Sequence, residues 1–329
     1  MTAGRSGDPD PTAALLRVAA WLQQKDYAFT TVTPATHARV NARPAAQVAR
    51  TLRDVFGWSR PFAPALLPSD VLDVLRDAGL VQTAADGLLR SAVRFSTLSG
   101  RLFAHSAYPT EQEDAVFFGP DTYRFAQLIE DELARSTLPP HARILDLGCG
   151  SGAGGIVAAR AVPDVQPELV LSDINPRALR FAAANAALAG CGQAQLVQSD
   201  LYAATPGTFD LVLANPPYLN DAAERTYRHG GGRFGEALSA RIVREGLPRL
   251  AAGGRLVLYT GAAMVDGDDP LLALLRPDLE AAGWPWRYRE LDPDVFGEEL
   301  EQPAYGDAER IAVVALVVRR PGLAAAASS

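Results

Sequence analysis

Apolar positions in the first third of the chain recur at helical spacing: Leu15, Leu16, Val18, Ala19, Trp21 and Leu22, then Val48, Leu52, Val55 and Phe56, then Val71, Leu72, Val74 and Leu75. A stripe that repeats every three to four residues buries one helix face, so three helices are predicted. The period then shortens. Asp86-Gly87 and Ser99-Gly100 are turn dipeptides bracketing an extended run from Leu88 to Ser96, and a further run from Arg101 to His105 follows. A small antiparallel meander is expected there. Helices followed by a meander suggest a mainly helical, winged-helix-like module.

Beyond residue 140 the pattern alternates between short apolar runs and longer amphipathic ones. Strands are expected near 142–148, 168–173, 194–199, 209–215, 253–260, 285–291 and 310–319, and helices near 152–162, 175–189, 236–251 and 270–282. Right-handed βα crossovers make this an α/β fold, a Rossmann-like doubly wound sheet. Residues 311–318, Ile-Ala-Val-Val-Ala-Leu-Val-Val, are continuously apolar, as in a strand buried on both faces.

The fourth of these strands ends in Asn215-Pro216-Pro217-Tyr218. The two prolines fix φ and remove two backbone donors, so the turn is stiff and offers only acceptors. The Asn215 side-chain oxygen and a proline carbonyl can both accept hydrogen bonds from one –NH₂ group, and Tyr218 offers a flat face for stacking. Such a turn suits a planar amide or exocyclic amine, whose delocalised lone pair must be freed before it can attack. An ordinary strand-to-loop exit reads the same way in isolation.

Upstream, residues 143–156 run from an apolar strand into a turn with glycines at 148, 150 and 152, and then into an Ala-rich helical stretch. Glycines in such a turn permit positive φ and close approach of a ligand, which could equally be a dinucleotide. An acidic residue, Asp173, ends the next strand 23 positions after Gly150, where a ribose diol is held in Rossmann-like crevices. A second, Asp200, closes the strand after that.

This ordered series of strand-end signals resembles the class I S-adenosylmethionine-dependent methyltransferases, and within them the N-methyltransferase branch whose fourth strand ends in (Asn/Asp)-Pro-Pro-(Tyr/Phe). The resemblance covers roughly residues 115–320. It implies a seven-stranded sheet whose last strand is antiparallel, with the two late strands forming a terminal hairpin, and S-adenosylmethionine as cofactor. It assigns Asp146, Gly148, Cys149, Gly150 and Gly152 to the methionine part of the cofactor. Asp173 would hold the ribose hydroxyls, Ile174 is also counted among the cofactor-binding residues, and Asp200 with Leu201 would face the adenine. The segment holding Phe118 and Thr122 is similar to the pre-domain strip that caps the cofactor in this branch. Catalysis falls to Asn215, Pro216, Pro217 and Tyr218. The organisation that follows is a flexible N-terminus (1–12), a substrate-recognition module (13–110), a methyltransferase domain (111–320) and a disordered tail (321–329).

Composition narrows the setting. The chain has 329 residues, 48% hydrophobic, with a formal charge of −7. No apolar run approaches the roughly 20 residues that span a membrane, and the N-terminus has no signal-peptide core, so a cytoplasmic protein is expected. Two cysteines, Cys149 and Cys191, do not make a disulfide framework. The four histidines lack ligand spacing, so no metal is expected. Lys25 is the sole lysine against thirty arginines, a bias that devalues raw arginine content. Distribution says more: residues 30–101 carry nine Arg and five Asp, about +4, and residues 102–329 carry −11. A mildly basic module suits an anionic substrate.

Residues 220–235 hold four glycines and three arginines between the Pro-Pro turn and the next helix. They read as a substrate-gripping loop with Arg228 and Arg233 as contacts. Their Gly-Gly-x-Phe-Gly pattern is similar to the corresponding stretch of HemK/PrmC-type enzymes, which methylate a glutamine amide in release factors. Three acceptors therefore compete: a base amine in RNA or DNA, a glutamine amide in a translation factor or ribosomal protein, and a small-molecule amine. A base in a duplex would have to be flipped out. The nucleic acid is the leading expectation, and the basic front module, with strands where HemK/PrmC enzymes carry a helical bundle, is the reason. A non-catalytic binding protein of the same fold and a nicotinamide oxidoreductase are the rival classes.

Overall fold

A computed structural model of the chain describes residues 10–110, 112–220 and 228–322. The chain forms two compact units, one of Met1–Arg124, Gly150–Ala153 and Arg177–Gln193, the other of Phe125–Cys149, Gly154–Pro176 and Ala194–Ser329.

In the first unit, α1 (Pro11–Gln24) opens on Asp10, whose carboxylate accepts from Thr12 N at 2.9 Å, and buries Leu15, Val18, Ala19 and Leu22. The leucine and valine side chains each contribute roughly 2 kcal/mol of burial. α2 (Pro34–Asn41) was not anticipated, because His37 is its one buried residue and it shows no apolar stripe. α3 (Leu52–Phe56) is shorter than the apolar spacing suggests. Thr51 and Asp54 form a capping box that starts the helix at Leu52, and Val48 is left outside it, 42% exposed. α4 (Ser69–Asp77) buries Val71, Leu72 and Leu75 as expected.

The meander is two hairpins. β1 (Val81–Thr83) pairs antiparallel with β2 (Leu89–Ser91), and β3 (Val93–Leu98) with β4 (Arg101–Ser106). The expected single run 88–96 breaks at Ala92. There the Ser91 hydroxyl donates to Val93 O (2.7 Å) and accepts from Val93 N (3.2 Å), diverting the backbone from the ladder.

α5 (Pro120–Arg135) leads into the second unit, whose sheet is built from β5 (Arg143–Leu147), β6 (Glu168–Asp173), β7 (Gln195–Gln198), β8 (Phe209–Ala214), β9 (Leu250–Met264), β10 (Trp286–Asp292) and β11 (Arg310–Arg319). α6 (Ala153–Ala161), α7 (Pro176–Leu188), α8 (Ala237–Gly246) and α9 (Pro270–Ala282) occupy the connections. Strand order is β10-β11-β9-β8-β5-β6-β7. The pairs β5–β6, β6–β7, β5–β8 and β8–β9 are parallel, and β11 is antiparallel to both neighbours. This is the Rossmann-like seven-stranded sheet with an antiparallel last strand. β11 lies inside the sheet, between β9 and β10, so the late hairpin ends in β10 at the edge. Its Ile311–Val318 stretch is buried throughout, which accounts for its unbroken apolar run. β9 extends to 15 residues because β11 pairs with it over ten positions, from Arg255↔Arg319 to Met264↔Arg310. No described helix is long and apolar enough to cross a membrane.

Candidate cofactor and acceptor site

Strand order reverses between β5 and β8, and ligands of doubly wound sheets bind beyond the carboxyl ends of strands at such a point. β5 runs into a turn in which Gly148, Gly150 and Gly152 take φ of +59°, +54° and +78°. A Cβ at Gly148 would meet nothing within 4 Å, so conformation demands glycine there and open space borders the turn. Gly154 and Gly155 serve differently. A Cβ at Gly154 would stand 2.6 Å from Phe125 Cε1, and one at Gly155 2.7 Å from Leu171 Cδ2. These two glycines let α6 sit close on Phe125 of α5 and on β6, a role the sequence reading missed. The signal was present, since two adjacent glycines at a helix start oppose helix propensity.

Asp146 is 2% exposed, and its Oδ2 accepts from Gly155 N at 2.7 Å. Its carboxyl is pushed up to about 7, chiefly by burial and further by the neighbouring Asp173, against the lowering effect of the Gly155 N–H. At the end of β6, Asp173 is also buried, and its Oδ1 accepts from Asn175 N at 2.9 Å. Cys149 N donates to Ser172 O at 2.9 Å, which stitches the glycine turn to β6. Burial pushes the Cys149 thiol well up, as in an inert filler of the turn. Ile174 projects an apolar side chain, 54% exposed. Asp200 is exposed and reaches Arg241 at 3.4 Å, while Leu201 adopts φ +46° and its carbonyl accepts from Ser199 Oγ at 2.9 Å. In the first unit Phe118 is fully buried and stacks on His105, centroids 4.7 Å apart. The Thr122 hydroxyl accepts from Gly119 N at 3.2 Å and caps α5.

β8 delivers the acceptor turn. Asn215 is half-buried, and its side chain makes no hydrogen bond among the described residues. Pro216 is buried, and Pro217 is half-buried. Tyr218 is 8% exposed, its ring lying over Gly261 of β9 and 5.9 Å from Phe296 at 63°. The glycine arm is fastened to this turn: Leu219 N donates to Arg228 O (3.1 Å) and Gly230 N to Leu219 O (2.9 Å). A Cβ at Gly230 would stand 2.7 Å from Pro217 O, and one at Gly235, at φ +97°, 2.3 Å from Tyr218 O. Glycines there allow backbone to press on backbone. The remainder of the expected loop, 221–227, lies outside the described residues.

Both arginines expected to contact substrate hold carboxylates. Arg228 pairs with the buried Glu299, and Arg233 pairs with Asp307 and covers Phe234 at 4.7 Å. Tyr305, 1% exposed, accepts from Asn220 N (2.8 Å) and donates to Phe234 O (3.1 Å). Sequence reading missed the segment 292–309, which supplies Phe296, Glu299, Tyr305 and Asp307. It carries seven Asp or Glu and no Lys, Arg or His.

The strand ends fit S-adenosylmethionine in chemistry: carboxylates at Asp146 and Asp173 for a cationic group and a diol, open backbone at Gly148, and an exposed apolar side chain at Ile174 for a flat base.

A family model described as the methyltransferase small domain matches residues 126–264. A release factor glutamine methyltransferase of Deinococcus radiodurans is 32% identical over 229 residues, 66% of this chain and 76% of that protein. A ribosomal RNA small subunit methyltransferase C of Hamiltonella defensa is 34% identical over 130 residues, 40% of this chain, and the match spans only 35% of that relative. Among solved structures, Trm5b from Pyrococcus abyssi aligns at TM-score 0.48 and 14% identity over 73% of this chain and 62% of that one.

Proposed function

The chain belongs to the class I S-adenosylmethionine-dependent methyltransferases with a methyltransferase small domain, and we propose that it methylates the side-chain amide of a glutamine in a protein of the translation apparatus, in the cytoplasm. The observation that carries this acceptor is the charge around the Pro-Pro turn. Arg228 and Arg233 are neutralised by Glu299 and Asp307, and segment 292–309 adds five further Asp or Glu and no Lys, Arg or His. A polyphosphate backbone would be repelled there, and a protein loop would not. The Deinococcus radiodurans relative, matched over 76% of its length, carries a name of that activity.

Bound S-adenosylmethionine supplies a methyl group already activated on a sulfonium. Asp173 would hold the ribose diol, Asp146 the cationic methionine end, Ile174 and Leu201 the adenine faces, and the 148–152 turn the close backbone approach. The Asn215 side-chain oxygen and the Pro216 carbonyl accept the two amide hydrogens, which orients the nitrogen and favours a tetrahedral geometry with its lone pair available. Tyr218, fixed on Gly261, limits where the amide plane can lie. On accepting a methyl group the nitrogen would carry one proton in excess, which the open side of the site would release to solvent. Rate comes from positioning and exclusion of water.

A base amine in RNA is the second reading, favoured by the relatives named for ribosomal RNA and by exposed Arg39, Arg43, Arg50 and Arg53 in the first unit. Incubation with tritiated cofactor and, separately, release-factor and ribosomal-protein extract, total RNA and genomic DNA decides between them. Label in the protein fraction is expected.

A further inference from the structure

We propose that Asn185 is a positioning residue that ties the glycine turn to the N-terminal hairpin, so that cofactor affinity depends on the first unit's fold. The proposal rests on the reading of residues 148–152 as cofactor-binding. Asn185 sits on α7, fully buried. Its Oδ1 accepts from Ala104 N at 2.7 Å, and its Nδ2 donates to Ala104 O and to Ser151 O, each at 2.9 Å. Both amide hydrogens and one oxygen lone pair are therefore committed.

Ala104 faces Phe95 across the β3–β4 hairpin. Phe95 turns its own carbonyl outward to Tyr27 Oη at 2.9 Å, so Phe95 and Ala104 form a pair without mutual backbone hydrogen bonds. Ala104 consequently points N–H and C=O away from β3, and the Asn185 amide takes the place of a neighbouring strand. One side chain closes the open edge of β4 and, with its remaining hydrogen, grips the turn at Ser151. A second strut runs alongside. Ser106 N donates to Val116 O at 3.2 Å, Val116 N donates to Ser106 Oγ at 2.8 Å, and Val116 Cγ1 lies 3.8 Å from where a Gly150 Cβ would stand. Gly150 and Gly152 hold positive φ on either side of Ser151, a conformation that few local forces select. The hairpin supplies that selection, through hydrogen bonds that a mobile turn would lack.

The test compares Asn185→Ala with Phe181→Leu, a core change on the same helix that leaves Ser151 and Ala104 bonded. For Asn185→Ala, calorimetry should give an S-adenosylmethionine Kd raised at least about tenfold, turnover at saturating cofactor close to wild type, and faster amide exchange at 150–153. Phe181→Leu should lower Tm while Kd stays put. Should Asn185→Ala fail to fold, Asn185→Asp keeps the bond from Ala104 N and loses both donations, and should show the same rise in Kd. An unchanged Kd and unchanged exchange, or an equal loss in Phe181→Leu, overturns the proposal. Absence of cofactor heat with wild-type protein would instead overturn the cofactor reading, and exchange at 150–153 would still decide the tether.

Discussion

Gly261 lies directly beneath the ring of Tyr218: a Cβ on the glycine would stand 2.3 Å from Tyr218 Cδ2 and 2.7 Å from Cε2. Both distances are far inside van der Waals contact, so β9 can carry only glycine here while the tyrosine keeps its place. Gly261→Ala should displace the ring and cut turnover strongly, with a stability loss of about 1–3 kcal/mol from overpacking. Cofactor Kd, measured calorimetrically, should stay close to wild type. Wild-type turnover would show that Tyr218 need not sit on β9.

Asn215 offers an amide without a partner among the described residues at the exit of β8. Asn215→Ala removes the acceptor proposed to orient the substrate, and turnover should fall roughly 100-fold, as when one preorganised polar contact is lost from an active site. Cofactor affinity should change little. Equal turnover would refute the assigned role.

Asp173 is held in orientation by Asn175 N, which suits a carboxylate that binds a diol. Asp173→Ala should weaken S-adenosylmethionine binding by about tenfold or more, the worth of a hydrogen bond to a charged group. Turnover at saturating cofactor should be less affected. A Kd indistinguishable from wild type would remove the ribose assignment.

The Asp146 carboxyl is pushed up to about 7, chiefly by burial. A group that holds its proton more tightly folded than unfolded contributes less stability as pH rises from the ordinary carboxylate range to about 7, and a constant amount above it. On the proposed role of Asp146 at the cationic end of the cofactor, binding requires the ionised form. Its affinity should therefore climb with pH up to about 7 and then level, and Asp146→Asn should flatten the profile. A wild-type affinity independent of pH below 7 would contradict this.

Arg228 and Glu299 form a pair that is mostly shielded from water. Arg228→Met strands a buried carboxylate and should cost about 2 kcal/mol, seen as a lowered Tm. The double change Arg228→Met/Glu299→Met should recover much of that loss and restore turnover. Recovered stability without turnover would mean that Arg228 also touches the substrate.

Most of the sheet was legible because its strands are short, apolar and ended by residues of definite chemistry. Asp173 ends β6, Asp146 stands one residue before the end of β5, and Asn215 directly follows β8. The place of β11 was less legible, since an unbroken apolar run announces burial without naming its neighbours. α2 carries one buried residue and so leaves no stripe to read. Ser91 breaks a run that looks continuous, through a hydroxyl contact too local for periodicity to register. Gly154, Gly155, Gly261 and Asn185 act through long-range proximity, which one sequence does not display. The carboxylates of 292–309 were visible as composition. Only the fold brings Glu299 and Asp307 onto the arm beside Tyr218, where they reverse the sign of a loop that reads as cationic.

The most direct test is mass spectrometry of release-factor and ribosomal-protein peptides after incubation with S-adenosylmethionine, using wild-type protein and Asn215→Ala in parallel. A single added methyl located on a glutamine side chain by wild type, and absent with Asn215→Ala, is the expected result. A methylated base in RNA or DNA with unmodified protein, or glutamine methylated equally by both proteins, would contradict it.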